Sequence, residues 1–427
     1  MVDGSRRSVD ARPMSAAEPS PPVPTSDAAP RGALGRMLDP LGVDDFFARH
    51  WEHDPLHVSR EARDRFADLL SVEAIEAALS RGAMRFPDVQ LTRAGTPVPA
   101  ADYTDDAGRV LARRLAHHHA RGATIVLSGA HRAFDALAGF VRDLQAELGW
   151  RCQANAYLSP PGNRGFAPHH DTHDVFVLQV AGRKTFRFHT GGVDLPFCDE
   201  RYDPEAAGAR EALEAIELGP GDTLYIPRGV AHDALAHADA PSLHVTVGVF
   251  PVVLRDAMLE AVRLAAERDV ELRRSVPRDA WRRENGPGGA ASLGRLAASL
   301  GAAAGAALGP DAIDEALSRL RDGASVDAVP DAAGLLSAPV DGAAVDPGAR
   351  LVVDGASRAG LERVGDVVKL RRPGEVLELS GAAAAALEAL FADGAAAADR
   401  LEGLDPERSA ALARRLVELG VCRAEPR

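Results

Sequence analysis

Cysteine is scarce in this sequence: Cys152, Cys198 and Cys422 are the three cysteines among 427 residues, and they form no CxxC pair. So few and so widely spaced thiols argue against a disulfide framework and against a thiolate zinc site. The sequence therefore predicts a reducing compartment, the cytoplasm.

Lysine is scarcer still. Only Lys184 and Lys369 are lysines, which leaves 47 of the 49 basic residues as arginine. A lysine in such a chain is a candidate for a role that requires a compact ammonium group and that the larger, planar guanidinium group of arginine does not suit.

Positive charge and long apolar runs are also missing. The formal net charge is −13, so the chain has no overall positive field that would attract nucleic acid or an anionic membrane. Residues 1–27 contain no apolar run typical of a secretory signal. The uncharged, apolar-looking stretch of residues 296–309 is mostly Ala and Gly and is shorter than the ~20 apolar residues that span a bilayer. We expect no membrane association.

Composition divides the chain into four predicted segments. Residues 1–33 are rich in proline and predict a disordered tail. Residues 34–253 combine a mixed helix and strand lead-in with short strands separated by turns, which predicts an antiparallel barrel or sandwich. Residues 254–345 have helical apolar spacing, and residues 346–427 predict a small α+β module. The predicted fold class is α+β.

Histidine is concentrated in the strand-rich block. Seven of the fourteen histidines fall between His169 and His244. The sharpest motif is PHHDTHDVFVLQ, interpreted as part of a strand. Since residues i and i+2 of a strand share a face, His169 and Asp171 are predicted to point together into the barrel.

A third metal ligand is predicted from the later segment GDTLYIPRGVAH, which ends at His232. Two histidines and one carboxylate on one face of a metal leave several coordination positions open, as in non-haem Fe(II) oxygenases. A 2-oxo acid can chelate such a metal and still leave a position for O₂. His169, Asp171 and His232 are therefore the candidate catalytic and metal-binding residues.

Lys184 is the candidate anchor of the co-substrate. A dicarboxylic 2-oxo acid such as 2-oxoglutarate needs a buried cation for its far carboxylate. Lys184 follows the Ala-Gly-Arg turn at the start of a predicted strand. The scarcity of lysine in this chain favours a functional role for it.

These residues resemble a known family. NAYLSPPGNRGFAPHHDTHDVFVLQVAGRKTFRFH, followed by GDTLYIPRGVAH, is similar to the JmjC-type ribosomal oxygenases, cupin-fold protein hydroxylases dependent on Fe(II) and 2-oxoglutarate. The resemblance implies a double-stranded β-helix (cupin/JmjC jelly roll) catalytic domain, a helical dimerisation region and a C-terminal winged-helix-like module. It also places Asn155 and Tyr157 near the co-substrate, and it implies a homodimer that acts with O₂ on a protein, usually a ribosomal one.

Two positions depart from parts of that family. Members that act on histidyl residues have lysine at the Lys184 position, whereas some bacterial members associated with arginyl hydroxylation have arginine there. Phe186 stands where many relatives have tryptophan. The hydroxylated side chain, arginyl or histidyl, therefore stays open.

Several histidines have alternative interpretations. His173 is the best rival ligand, although a hydrogen-bonding place in the barrel wall suits it better. His244 either faces the pocket or is an interior imidazole, and the sequence does not choose. The run of residues 117–119 cannot converge on a metal, because consecutive helical residues point in different directions. His170, His189 and His237 are predicted to be peripheral.

Two other functions remain open at this point. The same ligand set also suits zinc or manganese in a cupin enzyme that does not use 2-oxoglutarate. Alternatively, the chain is a catalytically silent scaffold for protein partners. The segment 381–427 contains eight acidic residues and six arginines, a net charge of −2, so we expect no direct DNA binding by its winged-helix-like module.

Overall fold

The computed structural model describes residues 32–163, 165–200, 202–203, 211–281, 287–326, 345–346, 348–353, 360–372 and 375–425. The predicted disordered tail, residues 1–33, lies outside these ranges except for its last two residues. Those two belong to the first helix, Gly32–Leu38, so the folded lead-in begins two residues before the predicted boundary.

Both helices and strands occur in each half of the chain. The helices are α1 (Gly32–Leu38), α2 (Val43–Arg49), α3 (Val72–Ser80), α4 (Ala112–Ala120), α5 (Asp135–Leu148), α6 (Leu254–Arg268), α7 (Arg278–Trp281), α8 (Pro287–Ala307), α9 (Pro310–Val326), α10 (Gly381–Asp393) and α11 (Pro406–Glu418). The strands are β1 (Leu56–Val58), β2 (Val89–Arg93), β3 (Thr96–Pro97), β4 (Thr124–Leu127), β5 (Arg151–Ser159), β6 (Asp174–Ala181), β7 (Lys184–His189), β8 (Ala212–Leu218), β9 (Thr223–Ile226), β10 (His232–Ala236), β11 (Ser242–Phe250), β12 (Arg350–Val353), β13 (Gly360–Val364), β14 (Val367–Arg372), β15 (Glu375–Ser380), β16 (Ala395–Ala397) and β17 (Cys422–Glu425).

The chain separates into two units, residues 1–251 and residues 252–427. In the first unit, one antiparallel sheet has the order β1-β9-β6-β11-β5-β4-β2-β3, and a smaller one has the order β10-β7-β8. The turn at Gly182 carries the chain from the large sheet to the small one. A Cβ at Gly182 would lie 2.1 Å from the carbonyl oxygen of Pro241, and its φ is +64°, so this turn requires glycine.

Two apolar layers hold the first unit together. The two sheets face each other across a cluster from β6, β7, β8 and β9, whose members are Val175, Val177, Phe186, Phe188, Leu218, Leu224 and Ile226. The outer face of the large sheet packs on the lead-in helices through a wider cluster that includes Phe46, Phe66, Leu144, Phe176 and Tyr225. Such burial of two sheet faces stabilises a two-layered barrel with helices outside it.

Helix termini follow local sequence signals. Ser71 caps α3, because its Oγ accepts a hydrogen bond from the backbone N–H of Ala74 at 3.2 Å. α5 ends at Gly149 in the left-handed conformation, with φ of 69°.

The second unit combines helices with two small sheets. α6 and α9 pack through Ala261, Leu264 and Ala316. The sheets have the orders β16-β12-β17 and β13-β14-β15. They share a core with α10 and α11 that includes Leu351 and Leu387.

The predicted α+β class with a cupin barrel is confirmed, whereas the dimerisation and winged-helix roles of the second unit stay predictions. Among the described residues no single helix is long and apolar enough to cross a membrane. A pair of segments bent by 75°, Ser292–Gly305 and Pro310–Arg321, meets that test by length and composition alone.

Candidate metal centre

His169, Asp171 and His232 come together at the mouth of the barrel. One ligand atom from each lies within 4.8 Å of those of the other two. The Nε2 atom of His232 is 3.8 Å from Oδ2 of Asp171. The structure thus brings together the three predicted ligands from two separate segments.

The strand predicted to carry His169 and Asp171 begins only at Asp174. His169 instead forms an isolated two-residue bridge with His232, in which each backbone N–H donates to the other's carbonyl at 3.0 and 2.7 Å. Asp171 lies in the turn that follows. The convergence therefore comes from this bridge and turn and not from the shared face of a strand, because the chain bends before β6 starts.

Backbone carbonyls orient both imidazoles. Nδ1 of His169 lies 2.9 Å from the carbonyl oxygen of Ala167, and Nδ1 of His232 lies 3.0 Å from that of Val230. These contacts require a hydrogen on Nδ1 and leave the lone pair of Nε2 for a metal. Two such nitrogens and one carboxylate fit a divalent transition-metal ion.

Charge at this end suits a cation. Burial opposes ionisation of Asp171, but His232, His173 and His169 hold its pKa below the ordinary value. Burial, reinforced by His169, lowers the pKa of His232 to about 4. At neutral pH the carboxylate is therefore ionised and the imidazole of His232 is neutral, which is the state that binds a metal.

Lys184 lies inside the barrel at the start of β7 and is only 2% exposed. Its Nζ donates to Oγ of Ser159 at 3.2 Å, and Ser159 in turn accepts from Oγ1 of Thr124 at 3.1 Å. Burial lowers the pKa of the Lys184 ammonium to about 7. Within the described part of the chain no carboxylate lies within ion-pair distance of Nζ, so a bound anion would supply the missing negative charge.

Aromatic rings connect this ammonium with the triad. The Phe166 ring lies 5.8 Å from His169 and 6.1 Å from Tyr157. Tyr157 stacks on His244 at 4.8 Å, as expected for directly paired residues of β5 and β11. The charge of Lys184 in turn acts on His244. The metal centre and the ammonium thus belong to one continuous site.

His244 faces this site. It is 4% exposed, and in the described structure its Nδ1 has no hydrogen-bond partner. Burial, with a further contribution from Lys184, lowers its pKa well below the usual value. The imidazole is therefore neutral beside the ammonium and has one polar atom available to a ligand.

Asn155 has a partner of its own on the site wall. Its Oδ1 accepts from the backbone N–H of Gly129 at 2.8 Å. Burial raises the pKa of Tyr157, and the charge of Asp171 raises it further, so the phenol is neutral. Co-substrate contacts of both residues stay predictions.

The other predicted histidines are not part of the ligand set, although the charges of His173 and His170 act on Asp171. His173 stacks on Phe250 at 4.5 Å and fills the space that a Cβ on Gly248 would need. His170 contacts the ring of Tyr202. His189 on β7 pairs with Asp233, and His237, directly after β10, pairs with Glu217. Residues 117–119 lie in the last turn of helix α4.

Two further residues of the site were not predicted from the sequence. Phe166 is exposed at the mouth beside His169, and Ser159 is the buried partner of Lys184. Phe166 lies in an irregular segment whose path no periodicity reveals. Ser159 shares the face of β5 with Tyr157 and Asn155, two and four residues away, and this alternation was the available signal.

Comparison with known proteins agrees with this geometry. Residues 134–256 match the family model of the JmjC domain. This range includes the triad, Lys184 and His244. The fold and the site therefore agree with a JmjC domain in this part of the chain.

Curated relatives specify the class further. The chain is 32% identical over 269 residues to the bifunctional lysine-specific demethylase and histidyl-hydroxylase NO66 of Drosophila grimshawi, covering 60% of this chain and 36% of that protein. It is 31% identical over 258 residues to ribosomal oxygenase 1 of Gallus gallus, covering 57% of this chain and 41% of that protein. The chain thus spans well under half the length of these relatives. The predicted resemblance to the JmjC-type ribosomal oxygenases is confirmed.

Solved structures show the same fold. The ribosomal oxygenase YcfD of Escherichia coli matches with a TM-score of 0.52 and 23% identity, over 90% of this chain and 98% of that one. The same protein in complex with cobalt and 2-oxoglutarate matches with a TM-score of 0.51 and 21% identity, over 90% and 99%.

Proposed function

We propose that this chain is an oxygenase dependent on Fe(II) and 2-oxoglutarate that hydroxylates a side chain of a protein. The observation that supports this proposal most strongly is that one site contains both a triad suited to a divalent metal and a buried ammonium without a carboxylate partner among the described residues. A 2-oxo dicarboxylate has the matching chemistry, a chelating end and a distant carboxylate. The E. coli relative solved with cobalt and 2-oxoglutarate supports this assignment.

Fe(II) held by His169, Asp171 and His232 would supply the oxidising chemistry. In the balanced reaction, one oxygen atom of O₂ enters a substrate C–H bond, and the other enters 2-oxoglutarate as it becomes succinate and CO₂. Lys184 would pair with the far carboxylate and orient the co-substrate. Tyr157 and Phe166 would exclude water from the space between the two ends.

The spectroscopic test is anaerobic addition of Fe(II) and 2-oxoglutarate. We expect the weak visible metal-to-ligand absorption of a chelated 2-oxo acid, and we expect it to be absent from His169→Ala. A wild-type protein that binds the metal without this absorption would favour a metal-dependent cupin with another reaction. A scaffold role would instead leave partner binding unchanged in His169→Ala.

The substrate is proposed to be a ribosomal protein hydroxylated on a histidyl or arginyl side chain. Relatives named ribosomal oxygenase and histidyl-hydroxylase support the substrate class. Lys184 matches the members that act on histidyl residues. The test is mass spectrometry of ribosomal and other soluble proteins from cells with and without the gene, searching for peptides heavier by one oxygen atom. Hydroxylation confined to non-ribosomal proteins would contradict the ribosomal assignment.

We further propose a homodimer formed through the helical segment that begins at α6. One side of α6 exposes Leu254, Met258, Leu259 and Val262, the first of them 85% exposed, and this pattern supports an apolar contact face. Sedimentation should give twice the mass of the chain, and Met258→Glu should lower it. A monomeric wild type would contradict the proposal.

A cytoplasmic location and a protein-binding role for the second unit complete the proposal. Cys152, Cys198 and Cys422 form no disulfide in the described structure, which suits a reducing compartment. The acidic balance of residues 381–427 supports protein contacts over DNA contacts. Fractionation of tagged protein and a DNA-binding assay at low salt would test the two statements.

A further inference from the structure

A buried charged network lies behind the metal centre, outside the ligand set. Arg228 is 5% exposed, and its Nη1 contacts Oδ2 of Asp174 at 2.8 Å and Oε1 of Glu52 at 2.6 Å. Tyr225 donates its hydroxyl hydrogen to Oδ1 of Asp174 at 2.7 Å and accepts from the backbone N–H of Glu52 at 2.9 Å. We call these four residues, Glu52, Asp174, Tyr225 and Arg228, the charge clasp.

The clasp joins the two segments that carry the ligands. Asp174 is the first residue of β6, three positions after Asp171. Arg228 lies in the turn between β9 and β10, four positions before His232. The Arg228–Asp174 pair therefore holds the bases of the two ligand-bearing segments together, in a buried place where rearrangement is costly.

The turn at Arg228 also contacts the ligand segment directly. The backbone N–H of Gly229 donates to the carbonyl oxygen of Asp171 at 2.9 Å, and Gly229 has a φ of +88°. A Cβ there would lie 1.7 Å from the carbonyl oxygen of Val193, so this close approach of the two backbones requires glycine. Movement of Arg228 would be transmitted to the Asp171 backbone.

The third segment of the clasp comes from the lead-in. Glu52 has a φ of +61°, a left-handed conformation that is unfavourable for a residue other than glycine. Its backbone N–H donates to the Tyr225 hydroxyl and its carboxylate pairs with Arg228, and these two contacts hold this conformation in place. The lead-in thus reaches the metal centre through a residue that is not a ligand.

We propose that the charge clasp is a positioning device that sets the divalent-metal affinity of the triad from outside it, with Arg228 as its central residue. The proposal rests on the triad being a metal site, as the proposed function states. Outer partners of metal ligands typically contribute tenfold to 100-fold in affinity. Arg228 acts one step further out, through the backbone of the ligand segments, so we expect about a tenfold effect.

The test is titration of the full chain with Co²⁺, followed by the visible absorption of the bound ion. Arg228→Gln should weaken Co²⁺ binding about tenfold and change the absorption bands, because the ligands relax. Glu52→Gln, which keeps the buried Arg228–Asp174 pair, should cause a smaller loss in the same direction. Arg228→Lys should restore part of the affinity. The matched control is Arg183→Gln, which breaks an exposed ion pair with Glu217 on the small sheet and should leave Co²⁺ affinity unchanged.

The proposal would be overturned if Arg228→Gln and Glu52→Gln both bind Co²⁺ with an affinity within twofold of wild type and with unchanged absorption bands. This holds even if both variants unfold at a lower temperature. If Arg228→Gln does not fold, Glu52→Gln and Arg228→Lys decide by the same measure. Failure of the proposed function has a different signature. In that case Co²⁺ affinity depends on the clasp, but the iron-loaded protein consumes no 2-oxoglutarate.

Discussion

The two ends of the site differ in the charge that the protein leaves for a ligand to balance. At the mouth, an ionised Asp171 and a neutral His232 form a donor set for a cation. At the inner end, Lys184 is buried beside a neutral His244, and among the described residues no carboxylate pairs with it. One end lacks a cation and the other lacks an anion, so a metal and a dicarboxylate complete the site together.

The two ends are also built differently. His169 and Asp171 precede β6 and depend on a two-residue bridge and backbone hydrogen bonds. Lys184 and His244 lie within strands that are paired on both sides, although the pairing of β11 with β6 shifts register between Leu243 and His244. The position of the cation site therefore depends mainly on loops, and that of the anion site on the sheets. Substitutions at each end should therefore separate metal binding from co-substrate binding.

The largest effect is expected at the metal end. Asp171→Ala removes the anionic ligand and should abolish both Co²⁺ binding and 2-oxoglutarate turnover, since two neutral imidazoles hold a divalent ion weakly. Isothermal titration with Co²⁺ and succinate release measure the two effects. His237→Ala, which removes a half-buried histidine from the small sheet, is the control and should retain both. Co²⁺ binding to Asp171→Ala at wild-type affinity would show that the metal lies elsewhere.

The next effect is at the inner end. Lys184→Met keeps the length of the side chain and removes its charge. The dissociation constant of 2-oxoglutarate should rise about 100-fold, the equivalent of roughly 3 kcal/mol for a hydrogen bond between charged groups. Co²⁺ affinity should stay the same, and the unfolding temperature should rise because a buried unpaired charge is gone. A lower unfolding temperature, or unchanged 2-oxoglutarate affinity, would refute an uncompensated ammonium in the co-substrate site.

The pH dependence sharpens the same contrast. Because burial lowers the pKa of Lys184 to about 7, the ammonium is present below that pH and is lost above it. The dissociation constant of 2-oxoglutarate should therefore rise above about pH 7, approaching tenfold per pH unit. Neither neighbour changes charge in this range, since His244 stays neutral and the Tyr157 phenol stays protonated. Lys184→Arg, which stays charged, should give a flat profile, and a sloping profile in that variant would assign the dependence to another group.

The smallest effect is expected from His244→Phe. Phenylalanine keeps the stacking on Tyr157 and removes the Nδ1 atom that faces the site. Loss of one neutral hydrogen bond should raise the dissociation constant of 2-oxoglutarate about threefold to tenfold. Metal affinity should not change, and a thermal melt checks that the fold is retained. An unchanged 2-oxoglutarate affinity would make His244 a packing residue only.

Much of the fold and the site could be predicted from local sequence. Short β-rich runs predicted the barrel strands. The spacing of two histidines and an aspartate predicted residues that do converge. The strand assignment of His169 and Asp171 was wrong, since the HxD pattern is the same in a strand as in a bridge followed by a turn.

The amino-acid sequence supplies the residues of the site: three candidate ligands of two residue types in motif positions, and one lysine near them in a chain whose basic residues are almost all arginine. Only the tertiary structure decided that Lys184 has no carboxylate near it in the described part of the chain, that His244 faces the site, and that Arg228 links Glu52 to Asp174. These facts depend on contacts between residues tens to more than a hundred positions apart. The local secondary-structure propensity of a segment does not predict such contacts, because the order of strands in the sheets and the packing of the turns determine them.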